Sequence, residues 1–282
     1  MYLFDNGTEL VSGDSKLDAY RTEILEELLI ADEFTGTKTI EVPIRLDILM
    51  VVKDQLEYVQ QSIESIRENT ESYHLYVWDN GSQQPTRDYL RTVEREMNEA
   101  GQSMTLWREE TNHGFLKPNN RLAHMGDADY IILLNSDTKV HKGWERALIG
   151  FLEKNSEYAA TGFMGGLVDK EGKGVRTGVG EEIDFICGWC CCFARGIYDR
   201  FGLFDEKNLR FAYCEDADFS FRLKEAGLKI YALHLDLAEH FGNKTAKAVK
   251  AEGQDLATTF AHNHNYIQKR WSHYLESERI LC

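Results

Sequence analysis

Apolar and polar positions along the chain alternate between two rhythms. Leu46–Val52 is a continuous apolar run broken only by Asp47, the pattern of a strand buried on both faces. Leu56, Val59, Ile63 and Ile66 then recur at the spacing of one helix face. The alternation repeats with a strand over Tyr73–Trp78 and a helix carrying Leu90, Val93 and Met97. A strand over Met104–Trp107 and a helix around Asn120–Met125 follow, then a strand over Tyr130–Leu134 and a helix bearing Trp144, Leu148 and Phe151. Buried strands alternating with amphipathic helices predict an α/β fold: a Rossmann-like, mostly parallel sheet with helices on both faces.

After Tyr158 the rhythm loosens. Phe163–Val168 and Gly174–Thr177 flank a polar turn and read as a hairpin. Asp184–Phe193 reads as one more apolar strand, a helix opens near Asp216, and Lys229–Leu233 is a last short strand. Leu17, Tyr20, Ile24 and Leu28 predict a helix before the sheet, and Leu256, Phe260, Ile267, Trp271 and Tyr274 predict one after it. The expected organisation is a helical extension over 1–44, one α/β domain over 45–246 and a helical tail over 247–282.

Composition narrows the function. A formal net charge of -15 argues against nonspecific affinity for nucleic acid or an anionic lipid surface. It leaves room for a phosphate compound, because a bound metal ion can invert the local field. No stretch has the length of an integral membrane segment, and Met1–Asp5 lacks the basic start of a signal peptide. Cys187, Cys190, Cys191 and Cys192 crowd into an apolar run, where they read as small buried hydrophobes rather than zinc ligands, and a cytoplasmic compartment is expected. The sequons at Asn6, Asn80 and Asn243 read as accidental there.

In open α/β sheets ligands bind beyond the carboxyl ends of the strands, so polar residues just after each strand are the candidates. The second strand ends in Trp78-Asp-Asn-Gly-Ser82, which is also a plain turn sequence. The fourth ends in Asn135, Ser136 and Asp137, either a helix cap or a carboxylate able to hold a divalent cation. Glu215, Asp216 and Asp218 sit among Phe211, Tyr213, Phe219 and Phe221; the acids suit a helix start, and a half-buried one suits a base. His240 follows the last strand, where a lone histidine is either structural or a ligand. A dinucleotide fingerprint, a P-loop and a Gly-x-Ser-x-Gly elbow are all missing.

Taken in order, these pieces resemble the family 2 glycosyltransferases of the GT-A fold, from about Leu46 to His240. Thr111-Asn-His-Gly-Phe115 with Asn119 and Asn120, and Gly188 with Phe201-Gly-Leu-Phe-Asp205, complete the resemblance. It implies an inverting transfer from a nucleotide-diphosphate sugar, a UDP-sugar first, to a hydroxyl of a glycan or other acceptor. It implies Mn2+ or Mg2+ held by Asp137 and His240, and Asp216 as general base with Glu215 beside it. Val52, Asp54, Asp79, Asn80, Asn112, Gly114, Asn119, Asn135 and Ser136 would line the donor site, with Asp79 on the nucleotide base. Gly188 and Trp189 are the candidates to face the acceptor, the indole being either a stacking platform for a sugar ring or a core side chain. The chain departs from the family at Val51–Asp54 and at Pro118 and Leu122, all close to the expected donor. Two rivals are a sugar-nucleotide nucleotidyltransferase, which would carry a Gly-rich basic loop after the first strand, and a noncatalytic binding module, which would not need Asp216.

Overall fold

A computed structural model of the chain describes residues 45–242, Gly253 and 255–275. The helix expected around Leu17–Leu28 lies outside the described residues. The first strands and helices alternate as the pattern predicts: β1 (Leu46–Val52), α1 (Leu56–Asn69), β2 (Tyr73–Asn80), α2 (Gln84–Glu99), β3 (Ser103–Glu109), α3 (Leu116–Met125) and β4 (Tyr130–Leu134). After β5 (Thr138–Val140) come α4 (Trp144–Lys154), β6 (Tyr158–Gly162), β7 (Gly165–Val168), β8 (Gly174–Gly178), β9 (Phe185–Ile186) and β10 (Cys190–Ala194). The chain continues through α5 (Arg195–Phe201), α6 (Glu215–Glu225), β11 (Lys229–Ala232), β12 (Ala238–His240), α7 (Leu256–Arg270) and α8 (Ser272–Leu275).

Seven strands form the main sheet in the order β11-β6-β10-β4-β1-β2-β3. All neighbours are parallel except β10, which runs antiparallel to both β4 and β6. The mostly parallel α/β sheet flanked by helices is therefore borne out. Burial on both faces explains the unbroken apolar strands: Ile48, Met50 and Val52 pack with α1, α2 and α4 on one side, and Leu49 packs with α3 on the other.

The expected single strand over Asp184–Phe193 is in fact two. β9 pairs with β7 in a small three-stranded sheet, whereas β10 enters the main sheet beside β4. Cys187, Gly188 and Trp189 make the crossing between sheets, and the bond from Cys187 N to Met164 O at 2.9 Å ends the first segment. Because β10 is antiparallel, its start lies opposite the end of β4, with Cys190 across from Leu134. That reversal carries Gly188 and Trp189 to the carboxyl edge of the parallel strands. The thiols follow strand alternation: Cys190 and Cys192 join one core layer, and Cys191 and Phe193 the other.

β5 and β12, three residues each, went unread because segments that short carry no periodicity; they pair antiparallel, with His240 opposite Thr138. α3 starts at Leu116, earlier than expected, and accommodates Pro118 because the first turn needs no N–H there. Beyond the expected boundary at 247, which lies outside the described residues, Ile267 and Trp271 are fully buried in the same core layer as β1 and β4. Asp47, at the far edge of β1, accepts from Arg195 at 2.5 Å and Ala128 N at 3.1 Å, which is how a carboxylate sits inside a buried strand.

Candidate active site

The carboxyl ends of β1 and β2 are tied into one corner. Lys53, buried, donates to Asp54 at 2.8 Å and to Gly81 O at 2.9 Å. Asp54 accepts in turn from Gln83 N at 2.6 Å, and its own N–H donates to Ser82 Oγ at 2.9 Å. Gly81 is required here: φ is +77°, and an added Cβ would stand 2.8 Å from Glu110 O. Val52 is fully buried, so its side chain faces the core and only its main chain is near the edge.

Asp79 stands near the carboxyl end of β2, as expected. It is fully buried, accepts Ser82 N at 2.8 Å and pairs with the Arg108 guanidinium. Arg108, from β3, also reaches Glu110 at 3.2 Å, so it stands between Asp79 and the rim of the site. Asn80 holds the next loop: its amide donates to Asn112 Oδ1 at 2.7 Å and Gly114 O at 2.8 Å, and its oxygen accepts His113 N at 2.8 Å. Asn119 is buried against Phe115 O at 2.8 Å, while Asn120 clamps both main-chain groups of Phe204 at 2.9 Å. Asn80, Asn112, Gly114 and Asn119 thus shape the edge by fixing loops. Sequence reasoning missed Lys53 and Arg108; the first is a cation directly after the central strand β1 and the second lies within the edge strand β3, which was the available signal.

The pairing of β5 with β12 brings Asp137 and His240 together, with Nε2 3.1 Å from Oδ1. Asn135 Nδ2 lies 3.4 Å from the same imidazole nitrogen, and Ser136 is buried between the two. The Trp189 indole stacks on the His240 ring, with centroids 5.1 Å apart and planes 4° from parallel. One indole face is therefore occupied, which narrows its role as an acceptor platform, and its buried Nε1 has no hydrogen-bond partner. A carboxylate and an imidazole are suitable donors for Mn2+ or Mg2+ when phosphate oxygens and water complete the shell. Among the described residues no group of three or more His, Cys, Asp or Glu could hold a metal ion.

Glu215 and Asp216 open α6, a helix buried nearly all round. Gly188 N donates to Asp216 Oδ2 at 3.2 Å, and Ala217 N to Oδ1 at 2.9 Å. Glu215 is 4% exposed and its Oε2 has no hydrogen-bond partner. Burial, reinforced by the Asp216 charge, pushes its carboxyl up to about 7. Asp218 points the other way, to Arg222 at 2.9 Å and Trp271 Nε1 at 3.0 Å. A continuous path of contacts therefore runs from Asp216 through Gly188 and Trp189 to His240 and Asp137.

A buried acid pair and a carboxylate–imidazole pair thus stand together at the carboxyl edge of the parallel strands. The sequence model of glycosyl transferase family 2 matches residues 47–201, more than half of the chain, and the chain belongs to that family. No curated protein matches it significantly. Among solved structures it is similar to GalNAc-T7 with UDP, GalNAc and Mn2+, at 13% identity and TM-score 0.61, covering 83% of this chain and 53% of that one. It is also similar to the mannosyltransferase PcManGT from Pyrobaculum calidifontis with GDP-Man and Mn2+, at 12% identity and TM-score 0.52, covering 76% and 63%. A third is S. aureus TarS 1-349, at 14% identity and TM-score 0.53, covering 83% and 76%. The chain thus spans about half the length of the first of these and under two thirds of the second. At such identities the likeness is one of fold. No helix among the described residues is long and apolar enough to cross a membrane.

Proposed function

We propose that this chain transfers a sugar from a nucleotide-diphosphate sugar to an acceptor hydroxyl with inversion at the anomeric carbon. The observation that carries the reading is the contact path from Asp216 to Asp137, which sets an acid pair beside a metal-type pair on one sheet edge. Asp137 and His240 would hold Mn2+ or Mg2+, which would offset the charge that builds on the departing diphosphate. The Lys53–Asp54 and Arg108–Asp79 ion pairs stand at the ends of the strands on the side of the proposed donor, with Asp79 toward the nucleotide base.

Asp216 is the base in this reading. Two main-chain N–H groups fix its carboxylate, and it takes the hydroxyl proton as the acceptor oxygen bonds to the anomeric carbon. The bond to the diphosphate breaks on the opposite face, so the centre inverts and no covalent enzyme intermediate forms. Glu215 changes charge near neutrality, and its ionisation above about pH 7 favours proton transfer to its neighbour. One neighbour holds UDP and another GDP-Man, so the test spans both bases, with UDP-sugars the first candidates. Purified protein incubated with Mn2+ and a panel of UDP- and GDP-sugars should release nucleoside diphosphate from one of them, and chelator should stop it. Equal release in excess chelator would remove the metal assignment, and cleavage to a nucleoside monophosphate would favour a nucleotidyltransferase.

A further inference from the structure

α7 lies beyond the residues matched by the family, yet it grips the segment that leads into the acid pair. Arg210–Cys214 immediately precedes Glu215, and three of its residues are left-handed without being glycine: Phe211 (φ 52°), Tyr213 (φ 79°) and Cys214 (φ 68°). A side chain disfavours this backbone region, so the conformation persists only where its surroundings enforce it. Asn263 on α7 is fully buried and meets four main-chain groups of this segment. Its Oδ1 accepts Arg210 N at 2.8 Å, and its Nδ2 lies 2.8, 2.9 and 2.9 Å from the carbonyls of Arg210, Ala212 and Tyr213. From the opposite side Phe115 N donates to Phe211 O at 2.5 Å. Trp271 then anchors α6 itself through Asp218.

We propose that Asn263 is a positioning residue that holds Arg210–Cys214 in its strained form and so sets where Glu215 and Asp216 enter the site. The inference rests on the catalytic reading of that pair. One carboxamide facing a donor and three acceptors is specific: an aspartate of the same shape would set a carboxylate oxygen against three carbonyls, and alanine would release all four groups. A merely structural residue would lower stability without separating binding from turnover.

The test compares Asn263→Ala and Asn263→Asp with Tyr266→Phe, which removes only a 2.8 Å bond to Asp205 from the same helix. With Mn2+ and the nucleotide sugar the wild type hydrolyses, both Asn263 variants should lose about tenfold to a hundredfold in kcat. Nucleoside diphosphate affinity should stay within about twofold, and Tyr266→Phe should match the wild type in both. Hydrogen exchange read by mass spectrometry should show amides of 210–216 opening about tenfold faster in the Asn263 variants, with β1 and β4 unchanged. Unchanged exchange at 210–216, normal kcat despite faster exchange, or parallel loss of nucleotide affinity would each overturn the proposal. Should Asp216→Asn keep full turnover, the catalytic reading falls, and the exchange comparison still judges the grip of Asn263 on the loop.

Discussion

Replacing Glu215 by glutamine removes a titration and leaves the shape of the site. The wild-type carboxyl is 4% exposed, one of its oxygens has no hydrogen-bond partner, and burial with the Asp216 charge lifts it from an ordinary 4.5 to about 7. At about 1.36 kcal/mol per pH unit, that displacement corresponds to about 3 kcal/mol. The sign follows from proton counts. Below 4.5 the folded and unfolded chains both keep the proton; between 4.5 and about 7 the unfolded chain releases it while the folded one holds it. Wild-type stability therefore falls as pH rises through this window and levels off above it. Glutamine cannot titrate, so Glu215→Gln should match the wild type at the acid end and exceed it by roughly 1–3 kcal/mol near pH 8. Urea unfolding of metal-free protein across this range measures the gap. A gap that is constant with pH, or that narrows as pH rises, would refute the buried-acid reasoning. In turnover, the same substitution should abolish any rise in kcat/KM through about pH 7.

Arg108→Ala leaves the fully buried Asp79 without its cation, and urea unfolding should show a loss of about 3–5 kcal/mol, with Arg108→Lys recovering part of it. Gly114→Ala places a Cβ on the Phe211 carbonyl at φ +81°; it should cost about 1–3 kcal/mol and lower kcat more than nucleotide affinity, because it displaces the segment before Glu215. Asp137→Ala should weaken Mn2+-dependent nucleotide binding at least about tenfold by calorimetry, while binding in chelator stays equal to that of the wild type.

The strands and helices of the main sheet were legible because burial on both faces writes itself as unbroken apolar runs, as in Leu46–Val52 and Tyr130–Leu134. The division of Asp184–Phe193 was not, since β9 and β10 are equally apolar and only their partners differ. β5 and β12 were too short to carry a period, so the sequence put Asp137 and His240 at the same edge without the pairing that joins them. The site residues were legible as polar positions after strands. Their hydrogen bonding was not: Asp79 pairs with Arg108, and Asn80 and Asn119 bond to loop carbonyls. Asn263 had no local signal, because its partners lie about fifty positions away in the chain.

Whether Asp216 takes the acceptor proton, as proposed, is decided by Asp216→Asn. The substitution keeps the contacts to Gly188 and Ala217 in shape while removing basicity. With the donor found in the panel and Mn2+ present, single-turnover release of nucleoside diphosphate should fall about a hundredfold or more, while nucleotide and Mn2+ affinities stay within about twofold of wild type. Near-normal turnover in Asp216→Asn with equal binding would contradict the account, and a dead Glu215→Gln beside it would move the base to Glu215.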